Sequence, residues 1–319
     1  MAKNYKTPDQ IHRAYESGLP GWQEDPDGVE DLLCDRKVET FAAAATHLAG
    51  IGRGKRALLW RSREKFDPGA FGQERQTTGD CVSHGSRNAR EVTRCVEIHI
   101  KGEPEEFYCR SATEPTYGSR GHGGQGMSPA VATRFEVDYG FLFRKAYGFV
   151  DLSQYNARIG AGWGRSGVPA EVKEACRENN VGRHVAPESA EQTMDLMQGG
   201  YAVHSGQSFG VKSTSDARGI AVPSGRWNHD MATVGYDDTR EVYPECVFLI
   251  ANSWGRWNNR PRVWPEEVYG PWPEGSFWVT EEVYDRWFVG SRSIFAYCDI
   301  AGVPLKNIPD WGTPKEVLG

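Results

Sequence analysis

A cysteine, a histidine and an asparagine stand in this chain in settings where side-chain chemistry could unite them. Cys81 follows Gly79-Asp80 and opens the run CVSHGSRNAREVTRCVEIHI, in which Val82, Ala89, Val92, Cys95 and Val96 recur at helical spacing. The thiol therefore falls at a helix N-terminus, where the positive end of the helix dipole favours thiolate, the attacking form. Such a nucleophile needs a base within hydrogen-bond reach and a third group that fixes the base's ring, and both can come from distant sequence. His229 in WNHDMATVGYDD opens one strand-like run, and Asn252 in FLIANSWG follows the next. Adjacent antiparallel strands would bring the two side by side.

Two textures of sequence would have to position this set. Residues 1–70 read as a mostly helical preface: Thr7-Pro8-Asp9 is a helix start, and ETFAAAATHLAGIG is an Ala-rich helical segment closed by glycines. The clusters GLPGWQEDPDG and FDPGAFG bracket the preface and mark a boundary at its end. Residues 71–185 form a helical region that carries Cys81, with a further helix from Pro129 to Tyr139 closed by Gly140. A third helix runs from Ser189 to Met197, before Gly199-Gly200. Beyond it come short strand-like runs, YAVHSG, MATVGYDD, CVFLIANSW, SFWVTEEVY and SIFAYCDIA, separated by Gly, Asn, Asp and Pro. Residues 186–300 are therefore mainly β and carry His229 and Asn252, and residues 301–319 form a tail. The expected class is α+β, with a groove between the two regions.

The bulk properties suit a folded chain. Its 319 residues suffice for two packed lobes plus an extension, and 39% hydrophobic with 25% charged residues argues against wholesale disorder. Net charge is −6 and the basic residues are scattered, so no nucleic-acid partner is expected; the stretch from Arg53, Lys55 and Arg56 to Lys65 reads as a solvated helix face. The opening MAKNYKTPDQ lacks the apolar core of a secretory signal, and no run of about 18 apolar residues occurs. A cytoplasmic or particle-associated location without a membrane partner is the expectation. The seven cysteines are widely spaced with no CxxC pair, so neither a metal site nor any other cofactor is expected, and the thiols should be reduced.

Several segments resemble the papain-like cysteine peptidases. QTTGDCVSHG is similar to that family's Gln…Gly-x-Cys nucleophile segment, NHDMATVGY to its Asn/Asp-His segment, and ANSWG matches its Asn-Ser-Trp-Gly motif. The resemblance covers residues 71–300. It implies the two-lobe papain-like fold, a helical lobe plus an antiparallel β-barrel lobe, and hydrolysis of peptide or isopeptide bonds in a polypeptide substrate. Carried over, Cys81 is the nucleophile, His229 its partner in a thiolate–imidazolium pair, and Asn252 the orienter of the ring. Gln76 donates to the oxyanion together with the backbone N–H of Cys81. Trp254 shields the His–Asn hydrogen bond, and Asn228, before the base, belongs to the substrate cleft. In GHGGQGMSPAVATRFEVDYG, Gly123-Gly124 matches the pair that binds the extended substrate backbone, where glycine permits close approach.

This chain departs from the family at particular positions. Val82 replaces the usual Trp, Gln76 stands one residue closer to the nucleophile, and His122 stands where secreted members carry a disulfide cysteine. Asp80 puts beside Cys81 a carboxylate that should raise the thiol's pKa. His84, one turn along the helix, reads as structural, and His204 as core or cleft wall. Asp230, Asp237 or Asp238 would suit a Cys-His-Asp triad, against which the ANSWG string argues. Two other functions fit the same residues: a cell-wall amidase using the same triad, and a non-catalytic component of a larger assembly such as a viral particle. In the latter, residues 1–70 and the aromatic loops with Trp257, Trp264 and Trp272 would make the contacts. Residues 1–70 are read either as an inhibitory propeptide or as a docking extension.

Overall fold

A computed structural model describes residues 4–103, 109–179, 181–291 and 293–298; the tail assigned to 301–319 lies outside these. The first helix, Pro8–Glu16, begins where the sequence predicts, with the Thr7 side chain accepting from the Gln10 N–H and Pro8 in the first turn, where an N–H has no helical partner. The next, Pro26–Cys34, repeats the device: Asp25 accepts from the Gly28 N–H. Val29 and Leu32 of this helix bury against Ala130, Ala186 and Phe295.

The main sheet has eight strands. Its order is Glu39–Thr40, Arg183–Ala186, Ile294–Cys298, Val203–Gln207, His229–Asp237, Val247–Ala251 and Ser276–Thr280, with Arg56–Ala57 also on His229–Asp237. Every ladder is antiparallel except the one joining Glu39–Thr40 to Arg183–Ala186. Across one face of this sheet lies the helix Cys81–Val96, of whose 16 residues all but Arg94 are buried. Burial on this scale forces its charged residues to pair: Arg90 meets Glu136 at 2.8 Å, Glu91 meets Arg63, and Arg87 meets Glu74.

Two sequence expectations need correction here. The stretch 53–65 is solvated only in part: Arg53, Lys55 and Lys65 are exposed, whereas Arg56, Arg61 and Arg63 are at most 1% exposed. Arg56 reaches Asp237 at 2.9 Å and Glu241 at 2.8 Å, and these carboxylates draw its cation inward. Likewise, the run SFWVTEEVY is a strand only through Thr280; Glu281–Ser291 is a helix, with two acidic residues in the first turn, where the helix dipole favours them.

The preface also divides differently from its reading as one extension. Glu39–Thr40 and Arg56–Ala57 are strands of the main sheet, and Leu58, Leu59 and Trp60 are at most 1% exposed in the main core. The body therefore takes up the chain from about residue 38, and the break at residue 70 lies inside it. Of the Ala-rich segment only Phe41–Ala44 is α-helical.

Candidate active site

Cys81 is the first residue of its helix, as expected, and its side chain is fully buried. The sulfur accepts the backbone N–H of Asp230 at 3.3 Å. That bond seats the thiol at the beginning of His229–Asp237. The Nε2–H of His229 donates to Asn252 Oδ1 at 2.8 Å, and Oδ1 also accepts the Ser253 N–H at 2.7 Å. Nδ1 is buried with no hydrogen-bond partner among the described residues, so it is the nitrogen left for proton exchange. Strand pairing creates this contact: His229–Asp237 and Val247–Ala251 run antiparallel with Ala232 opposite Ala251, so Asn252, just past the strand end, returns toward His229. Trp254 stacks on the imidazole at 4.7 Å between centroids and 22° between planes, covering the His229–Asn252 bond.

Gln76 is fixed at both ends. Its backbone N–H donates to Ser253 O at 2.9 Å, and its Oε1 accepts from the Ser253 hydroxyl. The amide Nε2 is thereby aimed at Thr78 O, 2.8 Å away, and at the phenolic oxygen of Tyr15, 3.0 Å away. That phenol belongs to the first helix, and its interaction with the Cys81 thiol is among the influences that raise the phenol's own pKa. Its ring lies 4.5 Å from that of His229 and 5.1 Å from that of Trp254. One turn earlier, His12 sits against Trp227, Trp254 and Trp257, with centroids 5.2–5.5 Å apart.

After this helix the chain runs through the groove between the lobes. The Trp22 N–H donates to Asn228 O at 2.7 Å on the β side. On the helical side Gln23 N–H donates to Met127 O and Met127 N–H to Gly21 O, each at 3.0 Å, a parallel pairing. Two glycines make room. A Cβ at Gly21 would lie 2.3 Å from the Tyr15 oxygen, and one at Gly206 would lie 2.1 Å from the Trp22 indole. The indole is 8% exposed.

This enclosure sets the charge states. The Cys81 thiol is pushed well above its ordinary value, by burial first and then by the Asp230 carboxylate. Burial likewise lowers His229 to about 3, although its bond to Asn252 works the other way. With Tyr15 and residues 20–23 in place, burial disfavours charge on both the thiol and the imidazole. The Asp80 carboxylate accepts from the Tyr155 hydroxyl at 2.7 Å and faces His84 Nε2 at 3.5 Å.

The sequence-derived set is thus brought together in part. Cys81, His229, Asn252, Gln76 and Trp254 converge, and the backbone oxygen of Asn228 faces the groove while its side chain is exposed. Gly123 and Gly124 are exposed and do not hold the strand that lies in the groove; Met127 does, steadied by the Gly126 N–H bond to Gly79 O. Trp257 and Trp264 are buried, bonded through Nε1 to Gly275 O and Gly270 O, and Trp272 is half-buried. Sequence reasoning missed Tyr15, Trp22 and Trp227, and considered Asp230 only as a triad member. For Trp22 the run Gly-Leu-Pro-Gly-Trp was the available signal, since a glycine just before an aromatic marks a backbone that something approaches closely.

No group of His, Cys, Asp and Glu among the described residues could hold a metal ion, and no helix among them is long and apolar enough to cross a membrane. No family model and no curated protein sequence matches the chain. Among solved structures it is similar to xylellain, a cysteine protease from Xylella fastidiosa, with a TM-score of 0.52 and 14% identity over 93% of this chain and 98% of that one. Digestive procathepsin L 3 of Tenebrio molitor (TM-score 0.43, 12% identity, 93% and 83% covered) and procathepsin B of Trypanosoma congolense (0.42, 12%, 96% and 87%) are also similar. The likeness to xylellain spans nearly the whole of both chains, and the fold is the α+β fold of the papain-like cysteine proteases.

Proposed function

We propose that the chain is a cysteine peptidase held closed by its own N-terminal segment. The observation that carries the reading is the Tyr15 hydroxyl, bound by Gln76 Nε2 at 3.0 Å beside the Cys81 sulfur. A neutral oxygen there occupies the position suited to a carbonyl under attack. Residues 20–23 add backbone pairing to both walls of the groove, the way an extended peptide is held.

With the segment displaced, water re-enters and the cost of charge at Cys81 and His229 falls. A proton then passes from the thiol to Nδ1 of His229. The thiolate attacks the carbonyl carbon of a peptide bond, and the oxygen takes up negative charge against Gln76 Nε2 and the Cys81 N–H. Nδ1–H protonates the leaving amine, and the acyl group remains on Cys81. Water attacks this thioester, giving its proton to Nδ1, and the carboxylate leaves with the thiol regenerated. Throughout, Asn252 holds the ring and Trp254 keeps water from that bond.

A second reading is favoured by the same enclosure: with the groove filled and charge disfavoured on both groups, the body could serve as a closed, non-catalytic module whose segment never leaves. Hydrolysis of a fluorogenic casein separates the two. Activity in Tyr15→Ala that is lost in Tyr15→Ala/Cys81→Ala supports the peptidase; no activity after residues 1–38 are removed, with the fold retained, supports the module.

A further inference from the structure

Behind Cys81, away from the groove, lies a buried pair that the steps above do not use. Successive side chains of a strand point to opposite faces, so where His229 faces the groove, Asp230 faces the underside of the nucleophile's helix. Both carboxylate oxygens of Asp230 lie 3.1 Å from Nδ1 of His204, which sits on the adjacent strand, Val203–Gln207. Asp230, His204 and Cys81 are all 0% exposed. The chain leaves space for this carboxylate: a Cβ at Gly85, one turn beyond Cys81, would lie 2.0 Å from Asp230 Oδ1. The backbone N–H of the same residue holds the Cys81 sulfur.

We propose that Asp230, held in place by His204, is a positioning residue that sets how readily Cys81 forms a thiolate, a role that rests on the reading of Cys81 as nucleophile. The Asp230 N–H donates to the sulfur and so favours the anion, while its carboxylate opposes a second negative charge in the same buried region. Nδ1 of His204 engages both oxygens of that carboxylate and so tempers its opposition to the thiolate. The direction agrees with the carboxylate's upward push on the Cys81 thiol, second only to burial.

The surrounding groups are accounted for. On the nucleophile's own helix and its cap are Asp80, paired with His84 and Tyr155, and Arg90, paired with Glu136. From the groove side come His229 and Tyr15. Beyond His204 lie the rings of Phe295 and Tyr297, with Tyr297 bonded to Glu136 and edge-to-face with His184. His204 Nε2 has no hydrogen-bond partner among the described residues, so Asp230 is its only hydrogen-bond partner there.

The test uses the full chain carrying Tyr15→Ala, alkylated with iodoacetamide across a pH series, with the Cys81 adduct followed by peptide mass. Asp230→Asn keeps the shape and removes the charge; the midpoint of Cys81 alkylation moves to lower pH by about one unit. His204→Gln removes the imidazole that holds the Asp230 carboxylate and moves the midpoint to higher pH by a similar amount. These opposite signs are the expected result, because loss of packing alone moves both variants the same way. Profiles that overlay the Tyr15→Ala chain, or that shift together, in variants that still unfold cooperatively, overturn the inference and leave the peptidase reading standing. No label on Cys81 at any pH in the Tyr15→Ala chain removes the nucleophile itself, and both readings fall.

Discussion

The ring of Tyr15 rests 4.5 Å from the imidazole of His229, at 53° to its plane, although 213 positions separate them in sequence. The same phenol is held by Gln76, so one side chain meets both His229 and Gln76. Graded substitution should divide its effects. Tyr15→Phe keeps the ring and removes the hydroxyl, and should raise Cys81 labelling by a vinyl-sulfone probe less than tenfold. Tyr15→Ala deletes the ring as well and should raise it by roughly tenfold or more, since each factor of ten corresponds to about 1.4 kcal/mol. Equal rates in all three chains would show that the phenol does not guard the thiol.

In the Tyr15→Ala chain, His229→Ala should slow labelling of Cys81 by about two orders of magnitude, the scale of general base catalysis. Asn252→Ala should slow it less, because the base remains and only its orientation is lost. Intact mass against time measures both, with Cys81→Ala as the unlabelled reference.

Acid should loosen the closed state. Burial holds His229 near 3 and His184 near 4, both below the ordinary 6.5. Between those values and 6.5 the unfolded chain binds protons that the closed chain refuses, so stability rises with pH across this window and is lost as pH falls through it. At pH 5 each histidine should cost about 2 kcal/mol. Urea midpoints at pH 7 and pH 5 test the sum. Exchange of the Trp22 amide, which is bonded to Asn228 O, reports on the groove itself, and its protection relative to the intrinsic exchange rate should be lower at pH 5 than at pH 7.

Truncation should reveal where the body begins. A chain lacking residues 1–38 retains every strand of the main sheet and should fold, whereas one lacking residues 1–70 loses Glu39–Thr40, Arg56–Ala57 and Trp60 and should not. Arg56→Ala in the full chain strands the buried Asp237 carboxylate and should cost about 3–5 kcal/mol, measured by urea unfolding.

Much of the site was legible because its members carry local signatures. A cysteine after Gly-Asp at the head of a helical run, a histidine before strand alternation and the Asn-Ser-Trp-Gly string are each weak alone and point to one chemistry through their shared order along the chain. The helix over Pro129–Tyr139 was equally plain from its Ser128 cap, Pro129 and closing Gly140. What stayed hidden depends on long-range pairing. Nothing local distinguishes Tyr15 or Trp22 from other aromatic residues, and their roles exist only because the chain folds back across the groove. Arg56 read as exposed because propensity takes no account of the carboxylates of Asp237 and Glu241, more than 180 positions away. The glycine pair at 123–124 was matched through the family resemblance, while residues 21–23 pair with Met127, whose backbone needs no special residue type.

The segment in the groove ends at Gln23, and the chain has rejoined the sheet by Glu39. So short a tether presents the segment to the groove at an effective concentration on the order of millimolar, whatever the dilution of the protein. Closure is therefore a first-order event that dilution does not reverse. A single break anywhere between Gln23 and Glu39 alters no contact in the groove, yet it turns the segment into a separate ligand. From then on its occupancy follows its own dissociation constant, and at nanomolar protein a segment of only micromolar affinity would leave the groove.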